Sequence, residues 1–258
     1  MSTILFPAPI FGPVHSRRLG VSLGINLLPP DGKVCSFDCI YCECGFNADR
    51  RPKSKLPSRE EVYKTLKEKL VEMKVEGTGP DVITFAGNGE PTSHPQFADI
   101  IDDTLSLRDI YFPAAKVGVL SNGTMLHKPE VFNALSKVDN NIQKLDTVDQ
   151  HYIDIVDRPS GNYDVNNTIK YLKAFQGKLI IQTMFLKGTF DGVDIDNTTD
   201  TYVLPWLDII RDIAPEQVTI YTIDRETPGK HLQKASPEDL DRIMNLLGKN
   251  NIPATVSY

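Results

Sequence analysis

The sequence predicts an α/β fold built around a mostly parallel sheet. Three observations predict it. Segments with strand character alternate with segments of helical periodicity, six such pairs follow one another, and no internal repeat interrupts them. This alternation indicates parallel strands joined by right-handed crossovers. Because a closed barrel has eight pairs, six pairs leave two architectures open, a partial barrel and an open, doubly wound sheet.

Three strand–helix pairs are predicted in the first half of the chain. The first strand covers residues 21–28. Ser58 begins the first helix, because Glu61 three residues later completes a capping box. Apolar residues at helical spacing follow, namely Val62, Leu66, Leu70 and Met73. The remaining elements of this half are a strand over 81–86, a helix over 96–107, a strand over 116–120 and a helix over 130–137.

Three further pairs are predicted in the second half. They are a strand over 142–146 with a helix over 165–175, a strand over 179–186 with a helix over 202–213, and a strand over 218–223 with a last helix. Ser236 caps that last helix, with Pro237 in its first turn, and the helix runs to about residue 247. A terminal strand is predicted over 252–257. In both candidate architectures, functional residues gather where the strands end.

Composition and charge exclude several classes of protein. Hydrophobic residues make up 40% and charged residues 24% of the 258 residues, which is typical of globular proteins and excludes disordered and fibrous ones. The net charge of -6 argues against a globally basic nucleic-acid-binding surface but leaves a local basic patch open. No apolar run approaches the roughly 20 residues of a membrane span. Residues 1–13 lack a basic region and contain Pro7 and Pro9, which argues against a signal peptide. We expect a cytoplasmic protein that does not bind membranes.

All four cysteines lie between positions 35 and 44. A disulfide framework would spread them to close long loops, so this clustering indicates a metal site. Cys35, Cys39 and Cys42 have CxxxCxxC spacing, and thiolates bind soft metals and iron–sulfur clusters. Three thiolates on one loop suit a cubane cluster with one open iron, whereas zinc usually takes four ligands in two separated pairs. A structural zinc knuckle is the alternative, and Cys44 is interpreted as a free thiol.

Polar motifs follow or interrupt the next strands. Residues 87–90 (GNGE) come after the second strand, and Ser121-Asn122-Gly123 comes after the third. Glycine lets the backbone approach a ligand closely, and serine and asparagine can bind carboxylate or ribose oxygens. Asp146 and Gln182 are polar groups on otherwise apolar strands and need partners. Each of these motifs can equally be an ordinary turn or a satisfied core group.

The CxxxCxxC motif, with Tyr41 before its last cysteine, resembles the radical S-adenosylmethionine (SAM) superfamily. The GNGE motif stands where that family has GGE, with Asn88 in place of the first glycine, and the resemblance covers about residues 12–247. GPVHSRRLGVSLGINLLPP, CECG and YTIDRETPGK are similar to a bacterial subgroup related to the wyosine tRNA-modifying synthetases. The resemblance implies a partial (βα)6 barrel of the radical SAM type, in a single domain over 1–258.

The resemblance also implies cofactors and chemistry. Cys35, Cys39 and Cys42 would hold a 4Fe-4S cluster whose open iron binds SAM. Reductive cleavage of SAM would yield a 5′-deoxyadenosyl radical that abstracts hydrogen from a substrate. An electron donor such as flavodoxin or ferredoxin is expected. The residues that would contact SAM or the substrate are Tyr41, Gly87, Asn88, Gly89, Glu90, Ser121, Asn122, Asp146 and Gln182. Within this set, Tyr41 would pack near the adenine, Gln182 would touch the ribose, and Asp146 would face the substrate. No residue is predicted as catalytic.

Two basic clusters flank the cysteines. They comprise Arg17 and Arg18, and then Arg50, Arg51, Lys53, Lys55 and Arg59. They are interpreted either as solvated loops or as a site for a substrate anion, a tRNA backbone or an acidic electron-donor protein. The substrate classes left open are a nucleoside or tRNA, a peptide or small molecule, and a glycyl-radical partner protein. A non-catalytic iron–sulfur or zinc-binding module is the alternative from another class.

Overall fold

An eight-stranded sheet forms the centre of the computed structural model, which describes residues 4–16 and 20–258. Its strands are β1 (Ile10–Ser16), β2 (Gly20–Ile25), β3 (Val82–Phe85), β4 (Lys116–Ser121), β5 (Asn140–Lys144), β6 (Ile180–Met184), β9 (Gln217–Tyr221) and β11 (Ala254–Ser257). A second, three-stranded sheet consists of β7 (Leu186–Phe190), β8 (Val193–Asp194) and β10 (Leu232–Lys234). The predicted Arg17–Arg18 cluster lies outside the described residues.

Seven α-helices accompany these strands in the described part of the chain. They are α1 (Arg59–Val75), α2 (Phe97–Tyr111), α3 (Pro129–Leu135), α4 (Gln150–Val156), α5 (Val165–Ala174), α6 (Asp200–Ile213) and α7 (Pro237–Lys249). The predicted capping boxes at Ser58 and Ser236 are both present. The apolar stripe of α1 is buried as predicted. Within the described residues, no helix has both the length and the apolar composition of a membrane span.

The strand order confirms the predicted architecture. From β2 to β11 the strands follow one another in chain order and every neighbouring pair is parallel. A doubly wound sheet would reverse its strand order at a switch point. With right-handed crossovers, an order without reversal places the helices on one face of the sheet. α1 contacts α2, α2 contacts α3 and α5 contacts α6, as this arrangement requires. The carboxyl ends of the parallel strands therefore lie along one rim.

Strand β1 was not predicted. It pairs antiparallel with β2 at the edge of the sheet, and its register shifts between Phe11 and Val14. Pro13 lies within that irregularity. Proline cannot donate a ladder hydrogen bond, so it is tolerated only at an edge or a bulge, and it hides the strand pattern in the sequence.

The prediction of one strand over 179–186 is wrong, because two strands share this segment. β6 ends at Met184 and β7 begins at Leu186, in the other sheet. The Asn197 side chain holds the break: its oxygen accepts the Leu186 N–H at 2.9 Å and its nitrogen donates to the Met184 carbonyl at 2.9 Å. The short helix α4 was also missed, since two turns are too few to show a period.

Candidate cofactor site at the carboxyl ends of the strands

The cysteine loop, residues 35–44, follows β2 at the rim of the sheet and is anchored on both sides. On one side Val34 forms a parallel bridge with Gly89, and on the other Phe37 forms an antiparallel bridge with Pro159. The Ile40 N–H also donates to the Val156 carbonyl at 2.9 Å. The loop after β3 and the segment after α4 therefore hold the cysteines between them.

Gly89 brings the GNGE segment against the cysteine loop. Its φ angle is +138°, and a Cβ at this position would lie 1.8 Å from the Val34 carbonyl oxygen. The Glu90 N–H donates to that same oxygen at 3.1 Å. A Cβ at Gly87, whose φ is +135°, would lie 2.7 Å from the Asn26 side chain. The close approach that glycine permits here thus joins two loops of the protein, and the predicted contact of these glycines with SAM stays a prediction.

Asn88, which replaces the family's first glycine, binds the N-terminal segment. Its side-chain oxygen accepts the Phe6 N–H at 2.8 Å, and its nitrogen donates to the carbonyls of Phe6 at 3.0 Å and Pro29 at 2.8 Å. The residue is fully buried, and it is not among the residues with positive φ. Its amide group is therefore committed to the protein. Its backbone carbonyl also accepts the Val34 N–H at 2.9 Å, and the predicted SAM contact stays a prediction.

Glu90 connects the loops after β3 and β4. One carboxylate oxygen accepts the Thr92 N–H at 3.1 Å, and the other accepts the Asn122 N–H at 2.7 Å. Burial raises the pKa of Glu90, against the hydrogen bonds from Thr92 and Asn122 and one from Ser121 that favour its ionised form. Glu90 thus holds the two loops together, and its predicted contact with SAM stays a prediction.

Asn122 carries this connection to the first cysteine. Its side-chain nitrogen donates to the Ser36 hydroxyl at 2.9 Å and lies 3.7 Å from the Cys35 sulfur. Its oxygen accepts from the Thr124 N–H at 3.1 Å, and the Thr124 hydroxyl is 2.6 Å from that of Ser36. Sequence reasoning missed Ser36, which lies within the CxxxCxxC motif, and Thr124, which directly follows Ser121-Asn122-Gly123. The surroundings of Cys35 thus consist of amide and hydroxyl groups.

A buried ionic network holds the second cysteine. The Lys144 ammonium lies 3.0 Å from an Asp157 carboxylate oxygen and also binds the Asp146 carboxylate and the Tyr41 hydroxyl. The Tyr41 hydroxyl donates to Asp146, whose other oxygen accepts the Met184 N–H at 2.9 Å. The predicted residues Tyr41 and Asp146 thus meet, but they contact each other and Lys144.

Charge interactions explain how this network stays ionised. Burial alone would lower the pKa of Lys144, but Asp146 and Asp157 raise it well above its usual value. Burial raises the pKa of Asp157 to about 6, and Lys144 opposes that shift. Burial and then the Asp157 charge raise the pKa of Cys39. Lys144 and Asp157 were not predicted as site residues. A signal existed for Lys144, since it lies two residues before Asp146 and so shares its side of the strand.

Lys33 lies against the cysteines as a buried cation. Its ammonium donates to the Gly45 carbonyl at 2.8 Å and is 3.5 Å from Asp38. Burial would lower the pKa of Lys33, but Cys42, Cys35 and Cys39 raise it through their negative charge. Only a thiolate binds metal, and a nearby cation favours the thiolate form.

The thiols differ in their surroundings. A hydrogen bond from Cys44 lowers the pKa of Cys42 to about 6, against burial and with help from Lys33. Burial, followed by the charge of Glu90, raises the pKa of Cys35 to about 12. Cys44 is buried, its sulfur lies 3.4 Å from the Gly87 carbonyl oxygen, and its thiol is hydrogen-bonded to Cys42.

The donor set fits a 4Fe-4S cluster by its chemistry. Three thiols on one loop face a buried ammonium, and the Asn122 amide lies near the Cys35 sulfur. Hydrogen bonds to sulfur and a low solvent exposure are the means by which proteins tune such clusters. Among the described residues, no three His, Cys, Asp or Glu side chains converge as a single metal ion requires. Each thiolate of a 4Fe-4S cluster binds a different iron atom, so this finding and a cluster are compatible.

A cavity of about 280 Å³ opens beside Cys42, the last cysteine of the CxxxCxxC motif. Tyr41, Cys42 and Glu43 form one wall, and Gln182 and Tyr221 are on the opposite side, at the ends of β6 and β9. The cavity thus lies at the strand rim where the predicted site residue Gln182 is directed. Asp146 is not among its lining residues within the described part of the chain. The contacts predicted for Gln182 and for Ser121 stay predictions.

The predicted second basic cluster is divided. Arg59 forms ion pairs with Asp103 at 2.6 Å and with Asp99 at 3.6 Å, so helix α2 neutralises it. Among the residues that the structure describes, no ion pair reaches the four remaining cations, Arg50, Arg51, Lys53 and Lys55.

Comparisons with known proteins agree with this geometry. A family model described as the radical SAM superfamily matches residues 30–201. A GTPase Obg from Brachyspira hyodysenteriae is 31% identical over 241 residues, which are 90% of this chain and 32% of that protein. A UPF0026 protein from Helicobacter pylori is 32% identical over 241 residues, which are 91% of this chain and 72% of that protein. The chain therefore spans about a third of the first relative and under three quarters of the second.

Two solved structures show the same fold at low identity. A radical SAM methyltransferase from Sphaerobacter thermophilus has a TM-score of 0.66 and 14% identity, covering 92% of this chain and 66% of that one. An archaeal TYW1 has a TM-score of 0.51 and 14% identity, covering 89% of this chain and 72% of that one. Both likenesses support the predicted fold class.

Proposed function

The chain belongs to the radical SAM superfamily, and from this premise we propose that it cleaves SAM reductively and uses the resulting radical on a substrate in the cavity beside Cys42. This family uses a 4Fe-4S cluster and SAM. The observation that carries the proposal is the position of the cysteine loop. It is clamped between the GNGE loop and a buried ionic network, with Cys42 at the wall of a cavity.

The chain's own residues would have three tasks. Cys35, Cys39 and Cys42 would hold the cluster, which when bound supplies the electron that breaks the sulfonium bond of SAM and leaves a 5′-deoxyadenosyl radical. Phe37 and Ile40, buried between the cysteines, would exclude water from it. Lys33 would offset its negative charge.

The remaining predicted residues would position SAM. The backbone of residues 87–90, the side chains of Ser121 and Asn122 and the ring of Tyr41 are its proposed surroundings. Gln182 lines the cavity and would donate to a ribose or substrate oxygen. The substrate stays open between a nucleoside or tRNA, a peptide, a small molecule and a glycyl-radical partner protein.

Anaerobic turnover tests the proposal. The reconstituted protein is incubated with SAM and dithionite, and 5′-deoxyadenosine and methionine are quantified by mass spectrometry. We expect slow production of both, and none from Cys42→Ala. A fully loaded protein that binds SAM but yields no 5′-deoxyadenosine with any reductant would establish a binding module instead.

The same assay can identify the substrate class. Extracts of cells grown on deuterated medium are fractionated into RNA, protein and small molecules, and each fraction is added to the reaction. The fraction with the substrate should accelerate turnover and yield 5′-deoxyadenosine that is one mass unit heavier. If every fraction leaves the rate and the mass unchanged, hydrogen abstraction is not supported.

A variant at Gln182 tests the SAM site. A Gly89 variant does not isolate it, because a Cβ there meets the Val34 carbonyl. Gln182→Ala should weaken SAM binding about tenfold, as the loss of one hydrogen bond of about 1.4 kcal/mol predicts, with iron content unchanged. Gln233→Ala, at an exposed position on β10, is the control. Equal SAM affinities for both variants would place the ligand elsewhere.

A further inference from the structure

The proposed reaction needs an electron that the sequence provides no means to store. All four cysteines belong to the loop at 35–44, so the sequence offers no thiolates for a second cluster. A donor outside these 258 residues would have to approach the cysteine loop. SAM and the substrate would occupy the cavity side of that loop, which leaves its other side for the donor.

The segment over 50–55, here called the basic loop, is anchored to the residues just before the cysteine loop. The carboxylate of Asp31 accepts the N–H groups of Lys53 at 3.0 Å and Ser54 at 3.1 Å. The Lys33 N–H donates to the Arg50 carbonyl at 3.2 Å. The residues just before Cys35 therefore hold the basic loop in place.

The link between the two loops is short. The Asn47 side chain donates to the carbonyls of Cys35 at 3.1 Å and Phe37 at 3.3 Å, three residues before Arg50. No residue of 46–57 is among those that line the cavity beside Cys42. The basic loop is thus tied to the start of the cysteine loop and is not part of the cavity lining.

The charges of the basic loop are available to a partner. Arg51, Lys53 and Lys55 are exposed, and within the described residues no ion pair reaches them or Arg50. Asp31, which binds the backbone of the loop, offsets one of its four cations and leaves a local excess of three. The chain as a whole carries a net charge of -6, so this excess runs against its overall charge. Such a patch attracts an acidic surface and accelerates its association.

The composition of the basic loop argues against RNA. Single-stranded RNA is usually read by aromatic side chains that stack on bases, and residues 47–58 contain no aromatic residue. The neighbouring Phe46 ring is covered by the Arg158 guanidinium, 4.9 Å from its centre. Four cations would contact only a few phosphates of an RNA backbone, so the charge of the loop alone does not favour RNA as its partner.

We propose that the basic loop is the docking surface for an acidic, one-electron donor protein. This proposal rests on the proposed function in one respect: the donor protein would supply the electron for that reaction. One electron leaves the reduced donor and enters the cluster, and no bond is formed or broken. A transient electron-transfer complex buries little surface, so a small charged patch is sufficient for it.

Stopped-flow reduction of the reconstituted holoenzyme by photoreduced flavodoxin tests the proposal. The charge-reversal variant combines Arg51→Glu, Lys53→Glu and Lys55→Glu. The control combines Lys170→Glu, Lys178→Glu and Lys249→Glu, which changes the net charge equally at exposed positions elsewhere. At low salt we expect the second-order rate to fall at least tenfold in the first variant relative to the control, and its salt dependence to flatten.

Dithionite serves as the small-molecule reductant, and both variants should be reduced by it at the parental rate. Equal rates of flavodoxin reduction in variant and control would overturn the proposal. Retention of labelled tRNA by the parent and not by the variant, without a change in flavodoxin kinetics, would make the loop a nucleic-acid surface instead. Absence of 5′-deoxyadenosine with dithionite would contradict the proposed reaction, while the reduction kinetics would still test docking.

Discussion

Cys35 and Cys39 are four residues apart, but different kinds of contact hold them. Around Cys35 the supports are an amide and hydroxyls, tied together by Glu90. Next to Cys39 the supports are Lys144 and Asp157, two buried opposite charges. A single neutral hydrogen bond contributes about 1 kcal/mol, whereas a buried ion that loses its partner costs several. Replacing one charged residue beside Cys39 is therefore expected to disrupt that whole network. Replacing one hydrogen-bonding residue beside Cys35 is expected to cause a smaller loss of stability.

The largest effect should come from replacing the cysteines, and the loss of the cluster should be equal for Cys35 and Cys39. Cys35→Ala and Cys39→Ala each remove a ligand, so each should lose the visible absorbance and nearly all of the roughly four irons per chain. Cys44→Ala is the control and should keep both. If the Cys44 variant loses its iron after anaerobic reconstitution, Cys44 is a ligand.

Lys144→Met should destabilise the protein strongly, because it leaves Asp146 and Asp157 buried without a cation. The expected loss in the free energy of unfolding is about 3–5 kcal/mol, measured by urea denaturation. Lys137→Met is the matched control, since it breaks an exposed pair with Asp102 at 2.7 Å and should cost about 0–1 kcal/mol. Similar losses for the two variants would show that the buried network is not a unit.

Glu90→Gln should have a smaller effect on the Cys35 side. The glutamine amide has the size of the carboxylate but only one oxygen, so either the Thr92 or the Asn122 N–H loses its acceptor. We expect a loss of about 1–3 kcal/mol in the free energy of unfolding. Glu60→Gln, at an exposed position of α1, should stay within about 0.5 kcal/mol of the parent. A loss as large as that of Lys144→Met would remove the contrast between the two sides.

The smallest expected effect is an acid sensitivity at His94, which ends the short 3-10 helix (Pro91–Ser93) that Glu90 begins. One ring nitrogen is 2.9 Å from the Pro57 carbonyl and the other accepts the Gln96 N–H at 3.1 Å. Burial lowers the pKa of His94, so the unfolded chain takes up the proton at higher pH than the folded one. This contribution to stability should be complete above about pH 6.5 and decline as the pH falls.

Melting temperatures of the holoenzyme between pH 7.5 and pH 5.5 measure this effect. The decline should be smaller in His94→Gln, which has no proton to gain. His127→Gln, at an exposed position, should follow the parent. Parallel curves for all three proteins would assign the acid sensitivity to other groups.

Much of the fold could be predicted because it depends on local patterns. Capping boxes and the apolar stripe of α1 are written within a few residues of each other, and the six strand–helix pairs follow from periodicity. The missed elements are those in which the local pattern is broken or short. Pro13 interrupts β1, and α4 has only two turns. The Asn197 side chain holds the break between β6 and β7, which the sequence shows as one apolar segment.

The candidate site was predictable as a set of residues but not as a set of contacts. Asp146 was singled out correctly as a polar group that needs a partner. Tyr41 and Asn122 were singled out as contacts of SAM, and that stays a prediction. Their partners are distant in sequence: Tyr41 meets Asp146 across 105 residues, and Asn122 meets Ser36 across 86. Lys144 was passed over, because a lysine near the end of a strand usually reaches solvent.

By itself, the sequence determined the six strand–helix pairs, the thiol-rich loop and the superfamily, since each depends on spacings of a few residues. Only the tertiary structure decided what the polar groups do. The Asn88 side chain could be interpreted as free to contact a cofactor until Phe6, 82 residues away, was found on it. Arg59 could be counted with the basic loop until Asp103 was found beside it. A side chain's charge and shape are fixed by its own residue, but its partner is chosen by the packing of segments that are far apart in the chain.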